Sequence, residues 1–360
     1  MRAEPPFSHG SRNNRSAVIW CNLGTPSSTS TSDVRRYLKE FLSDQRVVEI
    51  PRIIWWFILN LIILTFRPKK SAAKYASIWT AEGSPLLVWT KKQAALLQTK
   101  MIEQYGEENA PLVVFAMRYG DNSIDQALTD LQKKGVDKVL ILPAYPQYSA
   151  TTSASVFDAA YHWLLQSRNS PSLRTVKHYH DHPAYIQALA QKIKTHWQQN
   201  GQAEKLVMSF HGVPERTLSL GDPYHCECYK TARLLREALG LTTDQVLVTF
   251  QSRLGRAKWL EPYTEPSLIE LAKKGLKKVD IVCPGFTSDC LETLEEIAME
   301  VKHAFLSNGG EQFHYISCLN DDATWIDAMT QIASEQLLGW TNEIINPNNL
   351  ESKMKNLKNS

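Results

Sequence analysis

The function of this chain is narrowed first by what it lacks. No Gly-x-Gly-x-x-Gly follows an apolar run, and no Gly-x-x-x-x-Gly-Lys-Ser/Thr occurs anywhere. Such glycine patterns let backbone amides cradle phosphates, so an ordinary dinucleotide or P-loop enzyme is set aside. A Gly-x-Ser-x-Gly elbow is also missing, which removes the common α/β-hydrolase arrangement. Net charge is only +3, with no arginine-rich tract, so no nucleic-acid partner is expected. Met1–Ser16 is polar and has no apolar stretch of the signal-peptide kind. The six cysteines (Cys21, Cys226, Cys228, Cys283, Cys290 and Cys318) are scattered, and they read as free thiols in a reduced cytoplasm. Cys226 and Cys228 stand beside His225, but no second ligand pair accompanies them as a structural zinc site requires.

What is present is an α/β rhythm. The 360 residues are 43% hydrophobic and 21% charged, enough for one large or two medium cores. Apolar runs at Ala17–Leu23, Leu112–Met117, Lys138–Ala144 and Arg174–Tyr179 predict strands in the first half. Lys205–Phe210, Val246–Phe250, Val279–Cys283 and a weaker His314–Cys318 predict four more in the second. Helical stretches lie between them, at Asp33–Leu42, Lys91–Tyr105, Ser123–Lys134, Ser153–Gln166, Pro183–Gln199, Tyr229–Leu239, Pro266–Lys274 and Cys290–Leu306, and Ala323–Leu338 closes the series. Strands alternating with helices imply parallel sheets with right-handed crossovers. The expectation is two domains of similar build, 17–168 and 169–322, with a cleft between them. The helix at 323–338 is expected to pack back on the first domain, and 1–16 and 340–360 are expected to be flexible tails.

Ile53–Phe66 stands apart from this rhythm. It holds Trp55-Trp56 in an apolar run, with Arg52 before it and Arg67, Lys69 and Lys70 after it. A spanning helix needs ~20 apolar residues, so this segment is too short to cross a membrane. It is either a buried core helix or an interfacial segment lying on a membrane surface.

Two stretches carry the chemistry. Leu206–Pro214 (Leu-Val-Met-Ser-Phe-His-Gly-Val-Pro) is a buried strand that stops at His211, and ligands bind along that edge of parallel sheets. Gly212 should let the backbone turn and leave the imidazole facing the cleft. After the run Val279–Cys283 comes Pro284–Asp289, and then a helix carrying Glu292, Glu296 and Glu300 four apart. An ordinary amphipathic surface helix shows the same spacing. Glu300 reads as surface, Glu296 is open, and Glu292 lies in the first turn after a strand-end loop.

These residues resemble a family. Ser209–Pro214 (Ser-Phe-His-Gly-Val-Pro), Phe250–Leu260, Cys283–Glu296, Tyr145–Ser149 (Tyr-Pro-Gln-Tyr-Ser), Asn22–Pro26 and Gly83–Pro85 are similar to the signatures of ferrochelatases, in the same order, across Ala17 to Leu338. The resemblance implies two Rossmann-like domains (class II chelatase-like) and insertion of ferrous iron into protoporphyrin IX to form protohaem, with release of two protons. It implies that His211 and Glu292 are catalytic, with His211, Glu292 and Glu296 handling the metal. Leu23, Arg118, Tyr119, Tyr145, Trp259 and Phe286 would line the porphyrin pocket, and 53–66 would be the lip at its mouth.

Fe²⁺ and protoporphyrin IX are then the substrates, and the lip would hold a monomer or homodimer peripherally on the inner membrane from the cytoplasmic side. Basic residues that grip porphyrin propionates in some relatives are matched only in part, around Arg67 and Lys69. Other relatives carry a [2Fe–2S] cluster with one cysteine after Tyr-Pro-Gln-Tyr-Ser. Ala150 stands there, and no cysteine follows Cys318, so no iron–sulfur cluster is expected. A porphyrin carrier would need the aromatic walls but not a paired His and Glu, and a cobalt chelatase would usually be shorter and lack the lip.

Overall fold

A computed structural model describes residues 15–253, 255 and 257–341. The first half comprises β1 (Ser16–Thr25), α1 (Thr31–Ser43), α2 (Arg52–Phe57), a π-helical stretch Ile58–Ile63 and α3 (Leu64–Ile78). It continues through α4 (Pro85–Tyr105), β2 (Leu112–Gly120), α5 (Ile124–Lys133), β3 (Lys138–Pro143), a π-turn Ala150–Ala154, α6 (Ser155–Gln166) and β4 (Ser172–Thr175). The second half runs α7 (Pro183–Asn200), β5 (Lys205–His211), α8 (Arg216–Ser219), α9 (Tyr224–Leu239), β6 (Val246–Gln251), α10 (Thr264–Lys273) and β7 (Lys278–Val282). Then follow a π-helix Glu292–Val301, α11 (Lys302–Ser307), β8 (Gln312–Tyr315) and α12 (Ala323–Gln336).

Both sheets are parallel and four-stranded, with matching orders β2-β1-β3-β4 and β6-β5-β7-β8. Strands buried on both faces must be largely apolar on both, and the central strands β1, β3 and β5 are. In β1, Val18 and Trp20 face the middle of the molecule, while Ala17, Ile19 and Cys21 face outward into a second cluster with Val156 and Trp163. In β5, Leu206, Met208 and Phe210 face the middle and Val207 faces a third cluster with Ile281, Ile297 and Phe305. Alternation of side chains along a strand therefore makes three apolar layers.

The middle layer is common to both sheets and is filled by α4, α7, α9 and α12. Trp325 of α12 packs on Trp20 at 6.2 Å between ring centroids and on Tyr179 at 6.1 Å. Lys100 of α4 also pairs with Asp327 of α12 at 3.0 Å. The halves thus share a core across their join instead of keeping separate ones.

Several element ends differ from expectation, each for a physical reason. Pro85 starts α4 six residues before Lys91, in the first helical turn where a missing N–H costs nothing. β4 and β8 are shorter and begin earlier than expected, because Val176 and Tyr179, like Ile316 and Leu319, leave the sheet edge to fill the middle core. α9 begins at Tyr224 rather than Tyr229, which puts Cys226 and Cys228 two apart on a helix, one exposed and one buried. Residues two apart do not face each other on a helix, so the pair cannot share an ion. The expected flexible tails fall almost wholly outside the described residues.

The lip is helical throughout and mostly uncovered. Ile53 is 78%, Leu61 61% and Phe66 71% exposed, with Ile54, Trp56, Phe57 and Ile62 exposed as well. Leu59 and Leu64 are buried against Val34, Leu38 and Leu42 of α1, and the Trp55 indole donates to the Leu42 carbonyl at 2.6 Å. Of the two adjacent tryptophans, Trp55 anchors and Trp56 projects. Pro68 inside α3 cannot bond the Leu64 carbonyl, and Arg35 Nε donates to that oxygen instead at 3.0 Å.

Candidate active site

β5 delivers His211 to the C-terminal edge of the second sheet, and the Tyr224 hydroxyl holds its carbonyl at 2.9 Å. The imidazole Nδ1 lies 2.6 Å from the Gly212 carbonyl oxygen. A carbonyl can only accept, so Nδ1 carries a proton, and in the neutral ring the lone pair lies on Nε2. Phe286, from the loop after β7, sits 6.4 Å from the ring.

Gly212 does not occupy the left-handed region. Its need is close approach, since a Cβ there would lie 2.9 Å from the Gln251 carbonyl and 3.2 Å from the Trp259 ring. Trp259 pairs through its backbone with Pro214, and Leu260 N–H donates to the Val213 carbonyl at 3.0 Å. The loop after β6 is thereby folded over the turn after His211.

The helix that carries the glutamates is π-helical over Glu292–Val301, a rare form frequent at functional sites. Its carboxylates part company. Glu296 turns toward the β6 end, where Ser252 N–H donates to Oε1 at 2.7 Å and Ser252 Oγ donates to Oε2. Burial pushes the Glu296 pKa above the usual carboxylate value, against the Ser252 bonds and the nearby His211. Ser252 reaches this position with φ of 58°, uncommon for a residue with a side chain.

Glu292 looks instead toward the first half. Burial first and then the Glu292 charge raise the pKa of Tyr75, and the same charge adds to the burial of Tyr37. Glu300 is exposed and, with Glu295, bonds Lys74 of α3, both at 2.9 Å. That closes the far end of the glutamate row with an ion pair across the halves. Among the described residues, His211, Glu292 and Glu296 do not converge into a compact three-ligand set; the groups that do lie elsewhere.

The facing wall comes from β1, α1 and α3. Leu23 at the end of β1 and Leu291 just before the π-helix both pack on the cluster of Tyr37, Leu38, Leu42 and Tyr75. Phe286 and Trp259 are half-buried on the second half, and Tyr145 is half-buried on the first. The Tyr145 hydroxyl is buried without a hydrogen-bond partner.

Arg118 and Tyr119 are placed otherwise than expected. Tyr119 is 1% exposed, stacks edge-on against Phe41 and donates to Asp44 Oδ2 at 2.8 Å. Arg118 bonds the same Asp44 oxygen at 2.7 Å and the Ser155 carbonyl at 2.9 Å. Burial works against the Asp44 charge, but contacts from Ser155, Arg46, Tyr119 and Arg118 hold its pKa below the usual range. Tyr119 thus offers no face to a ligand and stands behind the wall. Arg118 is committed to Asp44 and Ser155.

Sequence reading missed Ser252, Tyr37 and Tyr75. Ser252 lies in the Phe-Gln-Ser-Arg stretch, but a serine after a strand carries no signal of its own. The two tyrosines sit on helices whose apolar pattern already accounts for them.

Known proteins converge with this geometry. The ferrochelatase family profile matches residues 15–337. The chain belongs to that family. A ferrochelatase of a Polaromonas species (strain JS666) is 61% identical over 341 residues, covering 94% of this chain and 92% of the relative. One from Herminiimonas arsenicoxydans is 58% identical over 353 residues, covering 98% and 95%. Among solved structures, SirB from Bacillus subtilis with Fe³⁺ shares the fold at a TM-score of 0.51 and 13% identity, covering 89% of this chain and 95% of that one. As a ferrochelatase-family member the chain is an enzyme, a metal chelatase of the lyase class, serving iron insertion into porphyrin in haem biosynthesis.

Proposed function

We propose that the ring inserted with iron is protoporphyrin IX, held between the Leu23 side and the His211 side of the cleft, with His211 and Glu296 handling protons and Glu292 facing the incoming metal. Metallation exchanges two pyrrole protons for one Fe²⁺, so the site must receive two protons. The observation that carries this reading is the His211 tautomer: its Nε2 lone pair is kept available because Nδ1–H is spent on the Gly212 carbonyl. Imidazole is a base near neutral pH and a suitable ligand for Fe²⁺. A carboxyl raised by burial, as Glu296 is, accepts a proton more readily than a surface glutamate. Glu292, half-buried between Tyr75 and the β6 end, supplies negative charge on the path of a cation. Leu23, Phe286 and Trp259 supply apolar surface against which a flat ring can be held out of plane, for which binding energy elsewhere on the ring could provide ~1–5 kcal/mol.

The lip supports peripheral attachment. Among the described residues no helix is long and apolar enough to cross a membrane. Seven large apolar side chains of 53–66 are nevertheless exposed on helices flanked by Arg52, Arg67, Lys69 and Lys70. Apolar side chains with basic neighbours suit an anionic bilayer surface, and protoporphyrin is itself sparingly soluble in water. We place the enzyme on the inner face of the cytoplasmic membrane, without an iron–sulfur cluster.

The test is anaerobic metallation with Fe²⁺, comparing protoporphyrin with coproporphyrin and following the haem spectrum. Faster turnover of protoporphyrin is expected. Coproporphyrin turned over faster would overturn the ring assignment while leaving the family unaffected.

A further inference from the structure

Away from His211, a second group of metal-binding side chains is assembled. His178 and His180 lie on the connector between β4 and α7, and Glu227 lies in the first turn of α9. His178 Nδ1 is 2.6 Å from Glu227 Oε1, and His180 Nδ1 is 3.3 Å from Oε2. The two imidazoles meet edge to face at 4.8 Å, and all three ligand atoms fall within 4.8 Å of one another.

The His180 side chain is only 5% exposed, yet its Nδ1 has no hydrogen-bond partner, because the approach to Glu227 is close but badly angled. A buried ring nitrogen left unsatisfied costs free energy unless something else occupies its lone pair. Burial lowers the His180 pKa, against the pull of Glu227, and so favours the neutral imidazole that metals require. Lys230, whose charge reaches His180, is already engaged with Asp181 at 2.5 Å.

We propose that His178, His180 and Glu227 bind a divalent ion of the zinc class, distinct from the substrate iron. Two imidazoles and a carboxylate are the donors such ions take, with three protein ligands leaving a position for water. The half-exposed His178 side provides the opening. The site joins three segments: Glu227 Oε2 also accepts from Tyr148 N–H of the first half at 2.7 Å, and α9 begins at the Tyr224 that fixes the His211 carbonyl. An ion there braces the loop after β3, the connector and α9 to one another.

A competing group, His196, Asp280 and His314, also has a buried unpartnered ring nitrogen, His196 Nε2, but its Asp280 Oδ2 already takes two donors, the Trp197 indole at 2.7 Å and the Ala203 amide at 3.1 Å. It serves as the internal control.

The experiment titrates full-length His211→Ala protein with Co²⁺ and Zn²⁺, so that the metallation site contributes less. One equivalent of Co²⁺ with visible ligand-field absorption, displaced by Zn²⁺ and accompanied by a raised melting temperature, is expected. Adding Glu227→Gln or His180→Ala should remove it. His178→Ala, which alters a half-exposed ring and leaves the core intact, should weaken binding by about 10–100-fold. His196→Ala should change nothing. The absence of a Co²⁺ signal, its survival in the Glu227 or His180 variant, an unchanged affinity in His178→Ala, or its loss in His196→Ala would overturn the site.

Discussion

The two sheets repeat one plan, and at two matching places the first half holds uncharged residues where the second holds His211 and the glutamates. β1 and β5 are the equivalent central strands. Near its end β1 carries Leu23-Gly24, and β5 ends at His211 with Gly212 next. Each glycine admits the neighbouring strand: a Cβ at Gly24 would lie 2.0 Å from the Tyr119 carbonyl of β2, and one at Gly212 would lie 2.9 Å from the Gln251 carbonyl of β6. The residue before the glycine is leucine in one case and histidine in the other.

The third strands repeat the contrast. A π-turn of Ala, Thr and Ser follows β3, while a π-helix bearing Glu292 and Glu296 follows β7. One scaffold thus places an apolar cluster beside one central strand and a set of ionisable groups beside the other.

The contrast is broken most severely at His211. His211→Ala should lower the anaerobic metallation rate by at least ~10²–10⁴-fold, the range for a positioned acid–base group. Glu296→Gln comes next. The burial-raised Glu296 carboxyl must be ionised to accept a proton, so activity should rise with pH through that raised pKa, and the variant should lose the acidic limb of its rate profile. The linkage runs the other way for stability. A raised pKa means the folded state holds the proton more tightly, so the stabilisation is full below the unfolded value and is lost as pH rises through the folded one. The variant's stability should be flatter over that window in urea titrations at several pH values.

The two glycines sharpen the comparison. Gly212→Ala should cost ~1–3 kcal/mol by overpacking against Gln251 and Trp259. Gly24→Ala should cost more, because its Cβ meets backbone at 2.0 Å and its φ is 115°. Equilibrium denaturation of both variants ranks them, and the reverse order would undo the equivalence.

The smallest chemical effect belongs to the lip. Replacing Trp56, Phe57, Leu61 and Phe66 by serine should abolish co-sedimentation with anionic vesicles, yet leave metallation of detergent-dispersed porphyrin within a few-fold of the parent.

Much of this contrast was legible in the chain. Apolar runs marked the central strands most clearly, because strands buried on both faces have no polar side to blur the signal. The edge strands β4 and β8 are short and partly exposed, and their expected runs were displaced toward the core residues that follow them. His211 was marked by the strand that stops at it. The glutamates were visible and Glu300 read as surface, as it is, but their partners were not: only the fold shows Glu296 turned to Ser252 and Glu300 to Lys74. The placement of Tyr119 was likewise not legible: only the fold shows its ring against Phe41 and its hydroxyl on Asp44. Gly212 was singled out for backbone freedom, and the fold adds its close approach to Gln251 and Trp259.

The division of labour between the halves is tested most directly by measuring porphyrin affinity and single-turnover metallation side by side in His211→Ala and Leu23→Ser. Fluorescence titration should show His211→Ala binding protoporphyrin within a few-fold of the parent while haem formation collapses. Leu23→Ser should show weakened binding with a nearly unchanged rate once the ring is bound. If His211→Ala instead loses binding and metallation together, or Leu23→Ser loses the bound-state rate, the two halves are not split into wall and chemistry.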